Sequence, residues 1–131
     1  MHPNKVLKIL ITDDDFHNRQ IFISQLEKLP LLFEIDEASD GKNAVEMVVI
    51  KISDTNANYD YIIMDYQMPM MNGQLATSTI RQIEQDKNLD ESKRSIIITW
   101  SSSKTMPFDG ADAIISKPLI PSEVLDIFSV K

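Results

Sequence analysis

Hydrophobic positions in this chain fall into short continuous runs and longer periodic segments, which alternate from one end to the other. The short runs are rich in β-branched residues and end at polar residues, a pattern typical of buried strands. The predicted strands are Val6–Thr12, Phe33–Ala38, Tyr61–Met64, Ile96–Ser101 and Ala113–Ser116.

The longer segments repeat apolar residues at helical spacing. In the first, Phe16–Leu29, the spacing turns Ile21, Leu26 and Leu29 inward. The other predicted helices follow the start signals Asp40-Gly41, Asn72-Gly73 and Pro121-Ser122-Glu123. Two polar, weakly periodic segments, Lys51–Asn58 and Asp86–Arg94, are predicted to be surface insertions.

Strands that alternate with helices predict one α/β domain spanning residues 1–131. Its five strands would form a parallel, doubly wound sheet with helices on both faces. Only Ser102–Asp109 separate the end of the fourth strand from Gly110, and this segment includes Pro107. That is too little chain for a full helix, so the fourth helix is predicted to be shortened or absent.

Composition narrows the possible functions. The 131 residues are 43% hydrophobic and 25% charged, with a formal net charge of −7, which argues against direct nucleic-acid binding. There is no cysteine, which excludes disulfides and thiolate metal sites. No apolar run is long enough for a membrane span and no signal peptide is evident, so we expect a cytoplasmic domain without membrane contact.

Charged residues end three of the predicted strands. Asp13, Asp14 and Asp15 follow the first strand, Asp65 follows the third, and Lys117-Pro118 follows the fifth. In open parallel sheets, ligands bind beyond the carboxyl ends of the strands. Carboxylates gathered there are suited to Mg²⁺, with one Asp of the triplet free to cap the next helix.

Each remaining charged end has a chemical interpretation. Asp65 could be a turn residue, but a carboxylate beside Mg²⁺ is also a competent nucleophile that forms acyl phosphates. Lys117 would neutralise phosphoryl oxygens, and its bond to Pro118 could be cis. Strand alternation places Thr99 and Ser101 on one face; Ser101 is the preferred hydroxyl for a phosphoryl oxygen and Thr99 the alternative.

These segments together resemble the receiver domains of two-component response regulators, over nearly the whole chain. The resemblance rests on Ile9–Arg19, Tyr61–Gly73 and Gly110–Pro118, and it implies a flavodoxin-like fold. Asn18-Arg19 and the Met68–Gly73 stretch further resemble receivers attached to hybrid histidine kinases.

The resemblance implies a role for each matching residue. Asp65 would accept a phosphoryl group from a phosphohistidine of a histidine kinase or histidine phosphotransfer domain. Asp14 would bind Mg²⁺ directly, Asp13 chiefly through water, and Gln67 through its backbone carbonyl. Lys117 would contact the phosphoryl group, and Ser101 or Thr99 would turn toward it. Any catalysis would be limited to the domain's own phosphorylation and dephosphorylation, and a homodimer is possible.

The sequence also departs from the family. Receivers usually have an aromatic residue three positions before the lysine, where this chain has Ile114. That residue and the short Ser102–Asp109 segment leave open a second hypothesis, a pseudo-receiver that binds partners without phosphorylation. A nucleotide-binding or flavin-binding domain is disfavoured because no glycine-rich loop follows a strand. A hydrolase is disfavoured because neither His2 nor His17 lies near a nucleophile motif.

Overall fold

Five parallel strands form a single sheet in the computed structural model, which describes residues 5–66, 68, 70–102 and 106–128. Their spatial order is β2-β1-β3-β4-β5, so the strand order reverses between β1 and β3. The strands are β1 (Val6–Thr12), β2 (Leu32–Ala38), β3 (Tyr61–Asp65), β4 (Ile96–Ser101) and β5 (Ala113–Ser116). The predicted doubly wound parallel sheet is therefore confirmed, and three strands have the predicted bounds.

Helices in the described part of the chain connect the strands and cover both faces of the sheet. They are α1 (Phe16–Glu27), α2 (Gly41–Thr55), α3 (Gly73–Asp86) and α4 (Pro121–Ile127), with a short 3₁₀ turn at Glu91–Lys93. Because successive side chains on a strand point to opposite faces, the sheet separates two cores. Leu10, Ile62 and Ile97 pack beneath α2 and α3, whereas Ile9, Ile63 and Ile98 pack beneath α1 and α4.

Three helices begin at the polar residues that the sequence indicates. Asp15 accepts a hydrogen bond from the backbone N of His17 at 2.8 Å, which caps α1. Asp40 caps α2 in the same way, and Asn72 caps α3 by accepting from the backbone N of Leu75. Each cap satisfies a backbone N–H that has no partner inside the helix. The prediction that one Asp of the acidic triplet caps the following helix is thus confirmed, and that residue is Asp15.

Two details of the helix prediction are wrong. Ile21 lies on the outer side of α1, and Phe22 takes the fully buried position beside Leu26. Lys51–Asn58 is not a surface insertion, because α2 continues to Thr55 and buries Ile52. The side chain of Asn58 is buried as well and donates to Glu84 Oε2 at 2.9 Å.

The connection from β4 to β5 contains no helix in its described residues, 102 and 106–112. The prediction that the fourth helix is shortened or absent is confirmed for that part of the segment. Phe108 is nevertheless buried, and its backbone N donates to Thr99 Oγ1 at 3.0 Å. Asp109 exchanges two hydrogen bonds with the side chain of Gln74 on α3. This short crossover is therefore held against α3 by specific contacts.

Candidate functional site

Charged side chains meet at the carboxyl edge of the sheet, where β1 and β3 lie side by side. Asp13 and Asp14 follow β1, and Asp65 is the last residue of β3. One oxygen from each of these three carboxylates lies within 4.8 Å of the other two. Asp13 and Asp65 are buried, whereas Asp14 is exposed. The structure therefore brings together the three acidic residues that the sequence singles out.

Asp13 is fixed in place by its own local chain. Its Oδ1 accepts from the backbone N of Asp15 at 2.8 Å, and its backbone O accepts from Arg19 at 2.7 Å. The amide of Asn18 lies 3.4 Å from Oδ2. Because α1 starts at once after the triplet, these donors come from residues two to six positions further along the chain. The first turn of α1 thus orients this buried carboxylate.

Lys117 joins the cluster from the end of β5. Its Nζ donates to Asp13 Oδ2 and to Asp65 Oδ1, both at 2.8 Å. Its backbone N donates to the carbonyl O of Ser101 at 2.9 Å, which continues the pairing of β4 with β5. The Lys117–Pro118 peptide bond is cis, the alternative that the sequence left open. Lys117 therefore bridges two carboxylates that belong to different strands.

The cluster alters the acidity of its members. Burial is the largest cause and raises the pKa of Asp65 from its ordinary value of 3.8 to about 6. The hydrogen bond from Lys117 lowers that pKa, while the negative charges of Asp13 and Asp14 raise it. For Lys117, burial alone would lower the pKa, but the hydrogen bonds to Asp13 and Asp65 outweigh it and hold the pKa above 10.5. One ammonium thus leaves the three carboxylates with an excess of negative charge.

The donor set fits Mg²⁺. This hard cation takes oxygen ligands, keeps some of its water and is usually bound through a few carboxylates. Asp14 and Asp65 offer oxygens close to each other, and the excess of negative charge favours a divalent cation. Gln67, the predicted backbone ligand, lies outside the described residues.

The two candidate hydroxyls are not placed alike. Thr99 Oγ1 is buried and accepts from the backbone N of Phe108, on the α3 side of the sheet. The structure therefore does not bring Thr99 to the carboxylates. Ser101 is buried at the carboxyl end of β4, where its carbonyl O accepts from Lys117. The residue that pairs with Asp65 across the two strands is Trp100.

Two residues near the site were not selected from the sequence. Lys117 Nζ lies 4.7 Å from the centre of the Trp100 ring, which strand alternation puts on the face opposite Thr99 and Ser101. Gly73 opens α3 so close to β3 that a Cβ there would clash with the backbone O of Asp65 and with the ring of Phe108. The Asn72-Gly73 pair signalled a helix start, but nothing in the sequence indicated this close approach.

This fold and this cluster define an α/β domain with an acidic site, suited to a divalent cation, at its topological switch point. The family model for the response regulator receiver domain matches residues 9–129. The chain belongs to this family and is a receiver domain of two-component systems. The pseudo-receiver hypothesis finds no support in the family match or in the relatives.

Two relatives of the chain agree with this assignment. The chain is 41% identical over 133 residues to the hybrid signal transduction histidine kinase B of Dictyostelium discoideum. That match covers 92% of the chain but 6% of the kinase, so the chain spans a small fraction of its hybrid-kinase relatives. It is 32% identical over 122 residues to the two-component response regulator ORR41 of Oryza sativa subsp. japonica, with 88% of the chain and 86% of the regulator covered.

A solved structure shares the fold. The receiver domain of the histidine kinase CKI1 from Arabidopsis thaliana, complexed with Mg²⁺, superposes with a TM-score of 0.77 at 25% identity. The superposition covers 95% of this chain and 92% of that domain. Among the described residues, no helix has the length and apolar character needed to cross a membrane.

The raised pKa of Asp65 predicts a pH-dependent stability in metal-free protein. As the pH rises from about 4 to about 6, the unfolded chain loses the Asp65 proton before the folded protein does, so stability falls by ~1.4 kcal/mol for each unit of pKa difference. Asp65→Asn removes this ionisation. In thermal unfolding with EDTA, the Tm of the variant should therefore rise relative to the Tm of the wild type as the pH rises. A Tm difference that does not change with pH would contradict the raised pKa.

The close approach at Gly73 predicts a cost for any side chain there. Gly73→Ala should destabilise the protein by about 1–3 kcal/mol, because the methyl group must displace the Asp65 carbonyl or the Phe108 ring. Urea unfolding measures the change, and the exposed Ser78 on the same helix gives the control Ser78→Ala, expected within about 0.5 kcal/mol of the wild type. Equal stability of Gly73→Ala and the control would contradict the packing described here.

Proposed function

We propose that this receiver domain accepts a phosphoryl group on Asp65 in a Mg²⁺-dependent reaction. The observation that supports this most strongly is the position of Asp65 between a lysine and two further carboxylates, at the open edge of the sheet. In the transfer, a carboxylate oxygen of Asp65 forms a bond to phosphorus and the phosphorus–nitrogen bond of a phosphohistidine breaks. The imidazole that leaves takes up a proton.

Asp65 suits the acceptor role better than Asp13. The side chain of Asp13 is fully buried, and both of its oxygens accept hydrogen bonds. The side chain of Asp65 is 7% exposed, and its Oδ2 has no hydrogen-bond donor among the described residues. An oxygen with an accessible lone pair is what attack on phosphorus requires. Asp13 is therefore assigned to holding the cation and Lys117.

Mg²⁺ would be held by Asp14 and Asp65 directly, by Asp13 chiefly through water, and by the backbone carbonyl of Gln67. When bound, the ion neutralises phosphoryl oxygens and lowers the cost of bringing an anionic donor to an acidic site. Lys117 would add a second positive charge beside the phosphoryl oxygens. Because Lys117 already touches Asp65, it needs only a short movement to reach an oxygen attached to that residue.

The donor we propose is a histidine kinase or a histidine phosphotransfer domain, acting in the cytoplasm. The names of the hybrid kinases and response regulators among the relatives support this choice. The domain's catalytic part is limited to its own phosphorylation and dephosphorylation. It would act as an intermediate in a phosphorelay or as the regulatory module of a kinase, without direct contact to nucleic acid or membrane; a homodimer is compatible with these roles.

Phosphorylation predicts a single covalent adduct at Asp65. With Mg²⁺ and acetyl phosphate, mass spectrometry of the intact protein should show one added phosphoryl group on the wild type and none on Asp65→Asn. Asp54→Asn, a change of an exposed carboxylate on α2, is the matched control and should retain the adduct. No adduct and no Mg²⁺-dependent beryllofluoride binding on the wild type would leave the pseudo-receiver interpretation instead.

The different surroundings of the two β4 hydroxyls predict which of them affects the lifetime of the phosphorylated form more. Ser101→Ala should change the lifetime of the phosphorylated form more than Thr99→Ala, because the Thr99 hydroxyl already accepts from the Phe108 amide. Thr99→Ala should act mainly on stability, by about 1–3 kcal/mol, since it leaves a buried N–H without its acceptor. Phosphoryl loss followed over time, together with urea unfolding, measures both effects. A larger lifetime effect at Thr99 would reverse the assignment.

A further inference from the structure

Trp100 occupies the position on β4 that faces the proposed acceptor, and no step described above uses it. It pairs with Asp65 in the register of β3 and β4, and it is 2% exposed. It is the one tryptophan of the sequence. A large aromatic residue at this place calls for an account beyond core filling, because the charged group of Lys117 lies against it.

Three contacts fix the indole ring. Lys117 Nζ lies 4.7 Å from its centroid, within the range of a cation–π interaction. The indole Nε1 donates to the backbone O of Ser116 at 3.1 Å, which ties the ring to the residue before Lys117. Phe22 of α1 meets the ring edge-on, with centroids 5.2 Å apart. The orientation of the ring is thus set from the strand, the helix and the ammonium together.

We propose that Trp100 is a positioning residue that holds the Lys117 ammonium at the phosphoryl site. The proposal rests on the proposed function and adds a residue to its machinery. A lysine side chain has four rotatable bonds, and confining it costs up to about 2 kcal/mol of conformational free energy. Two carboxylates and an aromatic face together confine the ammonium before any phosphoryl group arrives. The conformational free energy of confining the lysine is therefore lost during folding and not during phosphorylation.

The aromatic ring of Trp100 has a particular advantage once Asp65 carries a phosphoryl group. Attachment of a phosphoryl group moves negative charge away from the Asp65 oxygen that Lys117 contacts. The ammonium must then shift toward phosphoryl oxygens. Attraction to an aromatic face varies little over small displacements, whereas a hydrogen bond demands a fixed direction. Trp100 therefore retains its hold on Lys117 through the shift.

The alternative is that Trp100 only fills the core beneath α1 and α4. The two roles differ in how far each depends on the electron density of the indole face. Fluorination removes density from the indole face and weakens a cation–π interaction, yet it leaves the shape of the ring almost unchanged. It also makes Nε1–H a better donor, so the hydrogen bond to Ser116 would not weaken. Packing by shape alone is insensitive to such a change, and the edge-on contact with Phe22, which depends on the ring charge distribution, is present with or without the lysine, so a Lys117→Met background controls for it.

The test replaces Trp100 with mono-, di- and tetrafluorinated tryptophan, which a single tryptophan makes site-specific. The rate of Mg²⁺-dependent phosphorylation by acetyl phosphate should fall stepwise with fluorination, to a total of about tenfold, as expected for a cation–π interaction at a buried site. In a Lys117→Met background the same series should produce no further fall. A rate independent of fluorination in the wild-type background would overturn the proposal.

Conventional variants provide a second measurement. Trp100→Phe keeps an aromatic face and should phosphorylate within about threefold of the wild type, whereas Trp100→Leu should be about tenfold slower. The matched control is Tyr61→Leu, an equally buried aromatic on the same face of the sheet that pairs with Ile96 at the far end of β4. An equal loss of rate in Tyr61→Leu and Trp100→Leu would mean that only packing is involved.

A spectroscopic measurement separates this proposal from the proposed function. The indole ring should shift the NMR signals of the Lys117 protons nearest Nζ upfield, and Lys117→Met identifies those signals. Absence of the upfield shift in the wild type would overturn the positioning role whatever the phosphorylation result. If the shift is present and no adduct forms on Asp65, the proposed function fails while the contact between Trp100 and Lys117 stands.

Discussion

The ammonium of Lys117, hydrogen-bonded to Asp13 and Asp65, is the interaction on which the rest of this structure depends. The two bonds join residues that are 104 and 52 positions apart in the chain. Burial disfavours the charged form of both carboxylates, so the lysine stabilises this edge of the sheet by reaching both of them. One positive charge does not balance the acidic cluster, however. The same arrangement that stabilises the sheet edge therefore leaves an excess of negative charge, which favours a divalent cation.

The residues of this site could be predicted because their chemical types recur at strand ends. Parallel strands deliver their carboxyl ends to one edge, so Asp13, Asp65 and Lys117 could be brought together without knowing any contact. The contribution of Trp100 could not be predicted in this way. It depends on which β4 residue pairs with Asp65, and hydrophobic patterning leaves the register between strands undetermined. Strand alternation puts Trp100 on the face opposite Thr99, but it does not say which face meets the lysine.

The limits on predicting the fold have similar causes. Buried parallel strands are recognisable as apolar runs, and their bounds were predicted within a residue. Helix faces are harder, because α1 offers several apolar residues and only packing decides that Phe22, not Ile21, is buried. The end of α2 was missed because its last turn is polar except for Ile52. Buried polar residues such as Asn58 find their partners only through tertiary structure, here the carboxylate of Glu84.

In its described residues, the short crossover between β4 and β5 covers the sheet with a side chain and not with a helix. The described residues of the crossover form no helix to cover the α3 side of β4, and the buried ring of Phe108 packs there. That ring stacks on Tyr66, the residue after Asp65, with centroids 5.0 Å apart, and it fits only because Gly73 has no side chain. Ile114, at the position where the family resemblance leads us to expect an aromatic residue, pairs with Thr99 in the register of β4 and β5. The aromatic ring that stacks on Tyr66 thus comes from the crossover, so a movement of Tyr66 would reach the crossover directly through Phe108.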